Sequence, residues 1–381
     1  MKTLEKATKI NIFDFKTPQM KAFHMSWFAF FMCFFAWFGI VPFQDSIMQS
    51  IPDMTAAQYK TSWIASIALT VVARIFVGKF CEIKGPRIAY TLLLILCAIP
   101  VIGIAFAQTY TQFLICRLFI GCIGASFVIT QIHTTMMFAS NCVGTANATT
   151  AGWGNIGGGA VAVFMPLFSK HILENIFNVA PVDAWRVAMI CSGLAILFTA
   201  VAYFFLTQDT PEGNFSERPK EDESTSTEKK ENTFLTVLKD HRVWALFLIY
   251  GACFGIEITI YGKMAYYLEN YFGMLKSTAG TAVLAFALMN LFARTLGGFF
   301  GDKCGLRWGL KGRSLYLGAL IMLEGFFLTA FSFSNILPVA ITLLVFFSLF
   351  VQMAEGATFT VVPFINKKAV GSVAGIVGAG G

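Results

Sequence analysis

The chain has 381 residues, of which 56% are hydrophobic and only 13% charged, with 41 phenylalanines and a formal net charge of +7. Soluble domains carry about twice that share of charge, and a mean hydropathy of +0.68 excludes a water-soluble enzyme or binding module. What remains is an all-α, polytopic membrane protein, because uncharged stretches of about 20 residues recur and each can cross roughly 30 Å of hydrocarbon.

Residues 1–23 are polar and lysine-rich, and no cleavable leader is expected ahead of the first span at 24–46. Further spans are expected at 58–80, 88–108, 113–139, 145–169 and 185–206. Residues 207–241, rich in Glu, Lys, Ser and Thr, read as a flexible linker. Four more spans follow at 242–263, 278–301, 314–333 and 335–358, and an eleventh begins near Val370 and is cut at Gly381. The expected organisation is therefore an N-terminal six-helix half (1–206), a cytoplasmic linker (207–241) and a C-terminal half (242–381) truncated within its fifth helix. With the N-terminus inside, cytoplasmic segments collect 20 of the 28 Lys and Arg residues, as the positive-inside rule requires. External loops hold Lys60, Lys170, Arg186 and Lys276, and the spans themselves hold Arg74, Arg117, Lys263 and Arg294. The net positive charge thus reflects topology and not an affinity for nucleic acid. Nine cysteines and four histidines show no ligand spacing, so neither a metal site nor a cofactor is expected, and a membrane redox enzyme is a poor reading.

The fifth span contains "AGWGNIGGG", with a literal G-x-G-x-x-G at Gly152, Gly154 and Gly157. A dinucleotide fingerprint needs a preceding strand, and this one lies mid-helix in a bilayer. Gly154 and Gly158 are spaced for close helix packing, while Ala148, Gly152, Asn155 and Gly159 share a different face. A looser copy, "AGIVGAGG", places Gly375, Gly378 and Gly380 in the eleventh span. The chain repeats itself more widely. "ARIFVGKFCEIKGPR" at 73–87 aligns with "ARTLGGFFGDKCGLR" at 293–307, and "GASF" at 124–127 recurs as "GATF" at 356–359. Such parallel halves are related by an axis along the membrane normal, with substrate held between them near the midplane.

Arg74 and Arg294 are the most informative residues. Each lies inside an apolar span at an equivalent position of the repeat, and an intramembrane arginine costs about 2.5–3.5 kcal/mol even on a lenient insertion scale. Two such cations converging on one cavity repel each other and invite an anion, and the guanidinium fork suits nitrate, nitrite or a carboxylate better than a halide. The competing expectation is that each arginine is neutralised by an intramembrane acid, Glu257 or Glu355. Thr70 and Asn290, one turn earlier on the same faces, are potential supporting donors.

The loop pattern Gly78…Glu82…Gly85-Pro86-Arg87, its copy Gly298…Asp302…Gly305-Leu306-Arg307, and Arg117 followed by Gly121 and Gly124 resemble the motifs of the major facilitator superfamily. The two glycine runs, "YGACFGIEIT" of the seventh span and "EGATFTVVPF" of the tenth, resemble its nitrate/nitrite porter family. That resemblance implies two six-helix halves, transport of nitrate or nitrite by alternating access, and an anion clamped between Arg74 and Arg294. It further implies that Phe127, Asn155, Tyr250 and Phe254 line the site. Glu82, Arg87, Asp302 and Arg307 are expected as charge pairs that latch one access state. Glu355, Glu257 and His133 are the proton-coupling candidates, with Glu324 a further protonatable group, and the glutamates favour proton symport over nitrate/nitrite exchange. The expected partners are a small inorganic anion, protons and the lipid bilayer; the expected state is a monomer in the cell membrane. Carriers of other organic anions and a non-transporting anion sensor are the rival readings.

Overall fold

The computed structural model describes residues 5–52, 54–217 and 233–381; residues 218–232 of the expected linker and 1–4 of the N-terminal half lie outside the described residues. Helices make up nearly all of it. The first half runs α1 (Pro18–Phe38), α2 (Ala56–Lys84), α3 (Pro86–Gly103), α4 (Tyr110–Met137), α5 (Val143–Phe168) and α6 (Ala184–Leu206). The second opens with α7 (His241–Phe272). Lys276–Leu288 then continues through one 3₁₀ turn at Met289–Leu291 into Ala293–Ser332. That last stretch is broken at Gly309, whose φ of 63° and ψ of −150° are open only to glycine. Here the chain reverses, giving two crossings, α8 (residues 276–308) and α9 (residues 310–332). α10 (Leu337–Ile365) and α11 (Val370–Gly380) follow.

The helix starts are written locally. Thr55 and Gln58 close a capping box at the head of α2, and proline occupies the first turn of α1, α3 and α10, where its missing N–H costs nothing. The helices overrun the apolar windows: α1 begins at Pro18, α7 reaches Phe272 and α10 reaches Ile365. Backbone hydrogen bonding continues to propagate past the last apolar residue, so hydropathy marks the bilayer and not the helix end.

The linker expectation needs correction at its ends. Thr233–Lys239 is helical, and residues 207–217 fold back onto the bundle. The Asp209 carboxylate accepts the N–H of Arg87 at 2.8 Å and that of Phe215 at 2.9 Å. It therefore caps the head of α3, where free backbone donors are unavoidable. Gly85, at φ +83°, admits it, since a Cβ there would sit 2.4 Å from Asp209 Oδ1. Composition alone does not reveal this anchoring.

The two halves meet along two equivalent seams, α2 against α11 and α5 against α8. Glycines bring the backbones together in both. A Cβ on Gly78 would lie 2.4 Å from the Gly371 carbonyl oxygen, and one on Gly298 would lie 2.5 Å from that of Gly144.

Candidate functional site

α2 presents Thr70, Arg74, Gly78 and Glu82 at i, i+4 spacing, and α8 presents Asn290, Arg294, Gly298 and Asp302 in the same order. One face of each helix is thus a column of the candidate side chains. Arg74 and Arg294 are each 1% exposed.

Arg74 is held by backbone. α4 tightens into a 3₁₀ helix over Gly121–Ala125, which frees carbonyls from the α-helical ladder, a feature associated with functional sites. Thr70 Oγ1 donates to the Gly121 carbonyl at 2.5 Å, and Arg74 Nε donates to that of Gly124 at 3.1 Å. Arg74 Nη1 donates across the seam to the Gly378 carbonyl of α11. Among the described residues no carboxylate forms an ion pair with Arg74.

Arg294 is held differently. Its Nη2 meets Glu257 Oε2 of α7 at 2.8 Å and also pairs with Glu355 of α10. Glu257 Oε1 in turn accepts from Asn290 Nδ2 at 2.7 Å, the Tyr261 hydroxyl at 2.7 Å and Asn155 Nδ2 at 3.3 Å. The expectation of two uncompensated, mutually repelling cations therefore fails at Arg294, where the competing expectation of carboxylate pairing describes the geometry. Both carboxylates meet Arg294 and neither meets Arg74, although two guanidiniums and two carboxylates balance in formal charge.

An aromatic group joins the two arginines. The Phe254 ring centroid lies 5.8 Å from Arg74 Cζ and 5.7 Å from Arg294 Cζ, within cation–π range of both. Tyr250, one turn earlier on α7, stacks on Phe254 at 5.6 Å and on Phe127 at 5.5 Å, and Phe127 lies 5.7 Å from Arg74 Cζ. Arg74, Arg294, Phe127, Tyr250 and Phe254 thus fall in one cluster, with Asn155 attached through Glu257. Phe359 completes it, edge-on to Phe127 at 4.8 Å and to Tyr250 at 5.1 Å. The sequence reading omits Phe359, although the "GASF"/"GATF" repeat makes it the counterpart of Phe127.

The glycines divide by partner. A Cβ on Gly152 would lie 2.5 Å from the Asn290 carbonyl oxygen across the α5–α8 seam, whereas Gly154, Gly157 and Gly158 face Phe30, Phe31 and Phe38 of α1 within their own half. Gly375 abuts the Arg74 carbonyl across the α2–α11 seam, Gly378 contacts Val128 and Phe127, and Gly380 abuts the Phe247 carbonyl of α7.

The loop charges do not pair as expected. On the side of the bundle that carries the N-terminus, Glu82 accepts the Ser372 N–H at 2.7 Å and its hydroxyl at 2.8 Å, capping α11 of the opposite half. Asp302 does the equivalent for α5, accepting the N–H groups of Gly144 at 3.1 Å and Thr145 at 2.6 Å and the Thr145 hydroxyl at 2.8 Å. Its ion partner is Arg313 at 2.7 Å, not Arg307. Arg307 lies near the exposed Trp308 ring, and Arg87 donates to the Phe204 carbonyl, not to Glu82. The physical reason is that both acids sit where the dipole and free N–H groups of a helix head converge, so across-seam capping outcompetes a pair within the loop.

His133 lies outside the cluster. Its Nδ1 meets the Tyr203 hydroxyl at 2.5 Å and its Nε2 meets the Gln208 carbonyl at 2.8 Å, which places it in a polar link between α4 and the chain after α6. Glu324 accepts from Cys253 Sγ at 3.1 Å. An open recess of about 280 Å³ lined by Glu5, Lys6, Met136 and residues 210–212 and 215 contains none of the cluster.

Residues 26–381 match the profile described as the Major Facilitator Superfamily. The chain is 37% identical to "High affinity nitrate transporter 2.5" of Arabidopsis thaliana over 383 residues, 99% of this chain and 74% of that protein. The chain belongs to the nitrate/nitrite porter family of the major facilitator superfamily. "Nitrate/nitrite transporter NrtP" of Picosynechococcus sp. is 31% identical to this porter over 95% of the chain and 82% of its own length. "Nitrate transporter 2.2" of Chlamydomonas reinhardtii is 34% identical over 99% and 73%. Among solved structures, the porter resembles the proton:xylose symporter XylE with a TM-score of 0.71 at 11% identity, covering 95% of this chain and 86% of that one. The human organic anion transporter MFSD10 gives 0.63 at 12%, covering 96% and 91%. At those identities the likeness concerns the fold.

Proposed function

We propose that this porter is a secondary active transporter that moves nitrate, nitrite or both across the cell membrane, with the anion held between Arg74 and Arg294. The observation that carries this reading is the pair of buried guanidiniums, from equivalent positions of the two halves, that share the Phe254 ring. A planar oxyanion accepts paired N–H donors along a guanidinium edge, while Phe127, Phe254 and Tyr250 bound its flat faces and restrict its size. Asn155 supplies a further amide donor beside Glu257.

The N-terminus faces the cytoplasm in this reading, so the Glu82 and Asp302 caps close the cytoplasmic side. Rocking of the halves along the glycine seams must break both caps to open it. Accumulating an anion against an inside-negative potential costs about 2.3 kcal/mol per charge per 100 mV, and we assign proton symport as the source, with the protein acting as a monomer.

The test is uptake of labelled nitrate into liposomes containing the purified porter. Chlorate and nitrite are expected to compete, and glycerol phosphate and oxalate are not. Displacement by oxalate as effective as displacement by chlorate would refute a site built for a small planar anion.

A further inference from the structure

We propose that Glu355 carries the coupled proton and that Glu257 is the fixed counter-ion of Arg294; this rests on the reading of the protein as a proton-coupled anion porter. The two acids share one guanidinium nitrogen yet differ in everything else. Glu257 has a donor on each oxygen: Asn290, Tyr261 and Asn155 on Oε1, and Arg294 on Oε2. A proton added there displaces a donor already in place. Glu355 has Arg294 as its ion partner through Oε2; among the described residues both its oxygens are buried with no hydrogen-bond partner, and Oε1 has no ion partner either. That oxygen has room for a proton.

The surroundings of Glu355 sharpen the assignment. α8 offers Arg294 and Asp302, and α9 offers Arg313 and Glu324; Asp302 and Arg313 are paired with each other, and Glu324 is bonded to Cys253. α7 contributes Glu257, Tyr250, Cys253 and Tyr261, while α5 and α11 present no titratable side chain. Arg74 stands beyond the Phe254 ring. Among the described residues Arg294 is therefore the one cation paired with Glu355, and it is also the cation that the anion needs.

The exchange balances as follows. An arriving monoanion takes the Arg294 donors, Glu355 loses its counter-ion, and a proton from water binds Glu355 Oε1. One negative and one positive charge have entered, so the cluster stays neutral. When the anion leaves, the proton departs to water and Glu355 returns to Arg294. His133 is unsuited to this step, since both ring nitrogens are committed to Tyr203 and Gln208 and neither arginine is among its partners.

Because anion binding requires proton uptake, affinity weakens as pH rises, by up to about tenfold per unit. Nitrate affinity of the purified porter is measured by scintillation proximity between pH 5.5 and 8.5, alongside accumulation into liposomes driven by an imposed pH gradient. In Glu355→Gln, a neutral mimic of the protonated acid, affinity at pH 8.5 is expected to rise toward the wild-type value at pH 5.5 and to vary less than twofold across the range. Gradient-driven accumulation is expected to disappear. The wild-type protein alone provides a second measurement, since nitrate added in weak buffer at pH 7.5 should remove about one proton per anion bound. Gradient-driven accumulation by Glu355→Gln, or binding without proton uptake in the wild type, overturns the assignment. Failure of the wild type to bind or transport nitrate at all overturns the transport reading beneath it, and the two failures are distinguishable.

Discussion

Replacing Asp302 by asparagine removes the charge of the cap that ties α8 to the head of α5. In the wild type that carboxylate takes two backbone N–H groups and a hydroxyl from the opposite half, and pairs with Arg313, at 2.6–3.1 Å. Asparagine keeps one acceptor oxygen and turns an amide N–H₂ toward a backbone donor. Arg313, whose side chain is 4% exposed, keeps the carbonyls of Ser140 and Thr360 and loses its anion. Hydrogen bonds to a charged group are worth about 1.5–3 kcal/mol each, and breaking one side of a buried ion pair costs about 3–5 kcal/mol. These terms overlap and do not add, so a total of about 3–5 kcal/mol is expected. The Asp302–Arg313 pair lies within one half and is present whether the halves are open or closed. The bonds to Gly144 and Thr145 exist only while the halves are closed on this side, so losing even ~3 kcal/mol of them favours the open state more than 100-fold. Cys142, half-buried immediately before α5, is a native reporter. Its alkylation by N-ethylmaleimide, followed by mass spectrometry in liposomes, should accelerate at least tenfold in Asp302→Asn, and nitrate uptake should fall by a similar factor. An Asp302→Asn protein with wild-type alkylation at Cys142 and wild-type uptake would falsify the cap as a conformational latch.

Arg74→Lys keeps the charge but cannot reproduce the planar fork that reaches both the Gly124 and Gly378 carbonyls; nitrate affinity should fall at least tenfold, and a full-affinity variant contradicts the clamp. Gly152→Ala places a Cβ 2.5 Å from the Asn290 oxygen, about 0.9 Å inside ordinary contact at 3.4 Å. Overpacking of that kind costs roughly 1–3 kcal/mol, so transport should slow several-fold, whereas Gly318→Ala, with nothing within 4 Å of the new carbon, serves as the neutral comparison. Tyr203→Phe strips His133 Nδ1 of its partner inside the bundle. Leaving a buried acceptor unpaired costs about 1–3 kcal/mol, so the melting temperature should drop while pH-driven accumulation persists; loss of coupling without loss of stability would restore His133 as a proton carrier.

The sequence by itself determined the membrane class, the duplication and the identity of the two arginines. It could do so because each is a local property: twenty apolar residues cannot fold in water, and a charge within such a run must have a reason. Aromatic neighbours were partly legible for the same reason, since "GASF" and "GATF" mark Phe127 and Phe359 as one position written twice. Only the tertiary structure decided which charges meet. Arg294 draws its acids from α7 and α10, residues 37 and 61 positions away by their numbering, and Arg74 draws none among the described residues, although the motifs around them are alike. Asp302 takes Arg313 because the chain reverses at Gly309, a backbone event that charge spacing does not encode. The repeat fixes where a side chain stands on its helix. What it touches depends on how the helices pack, and there the two halves of this porter have diverged.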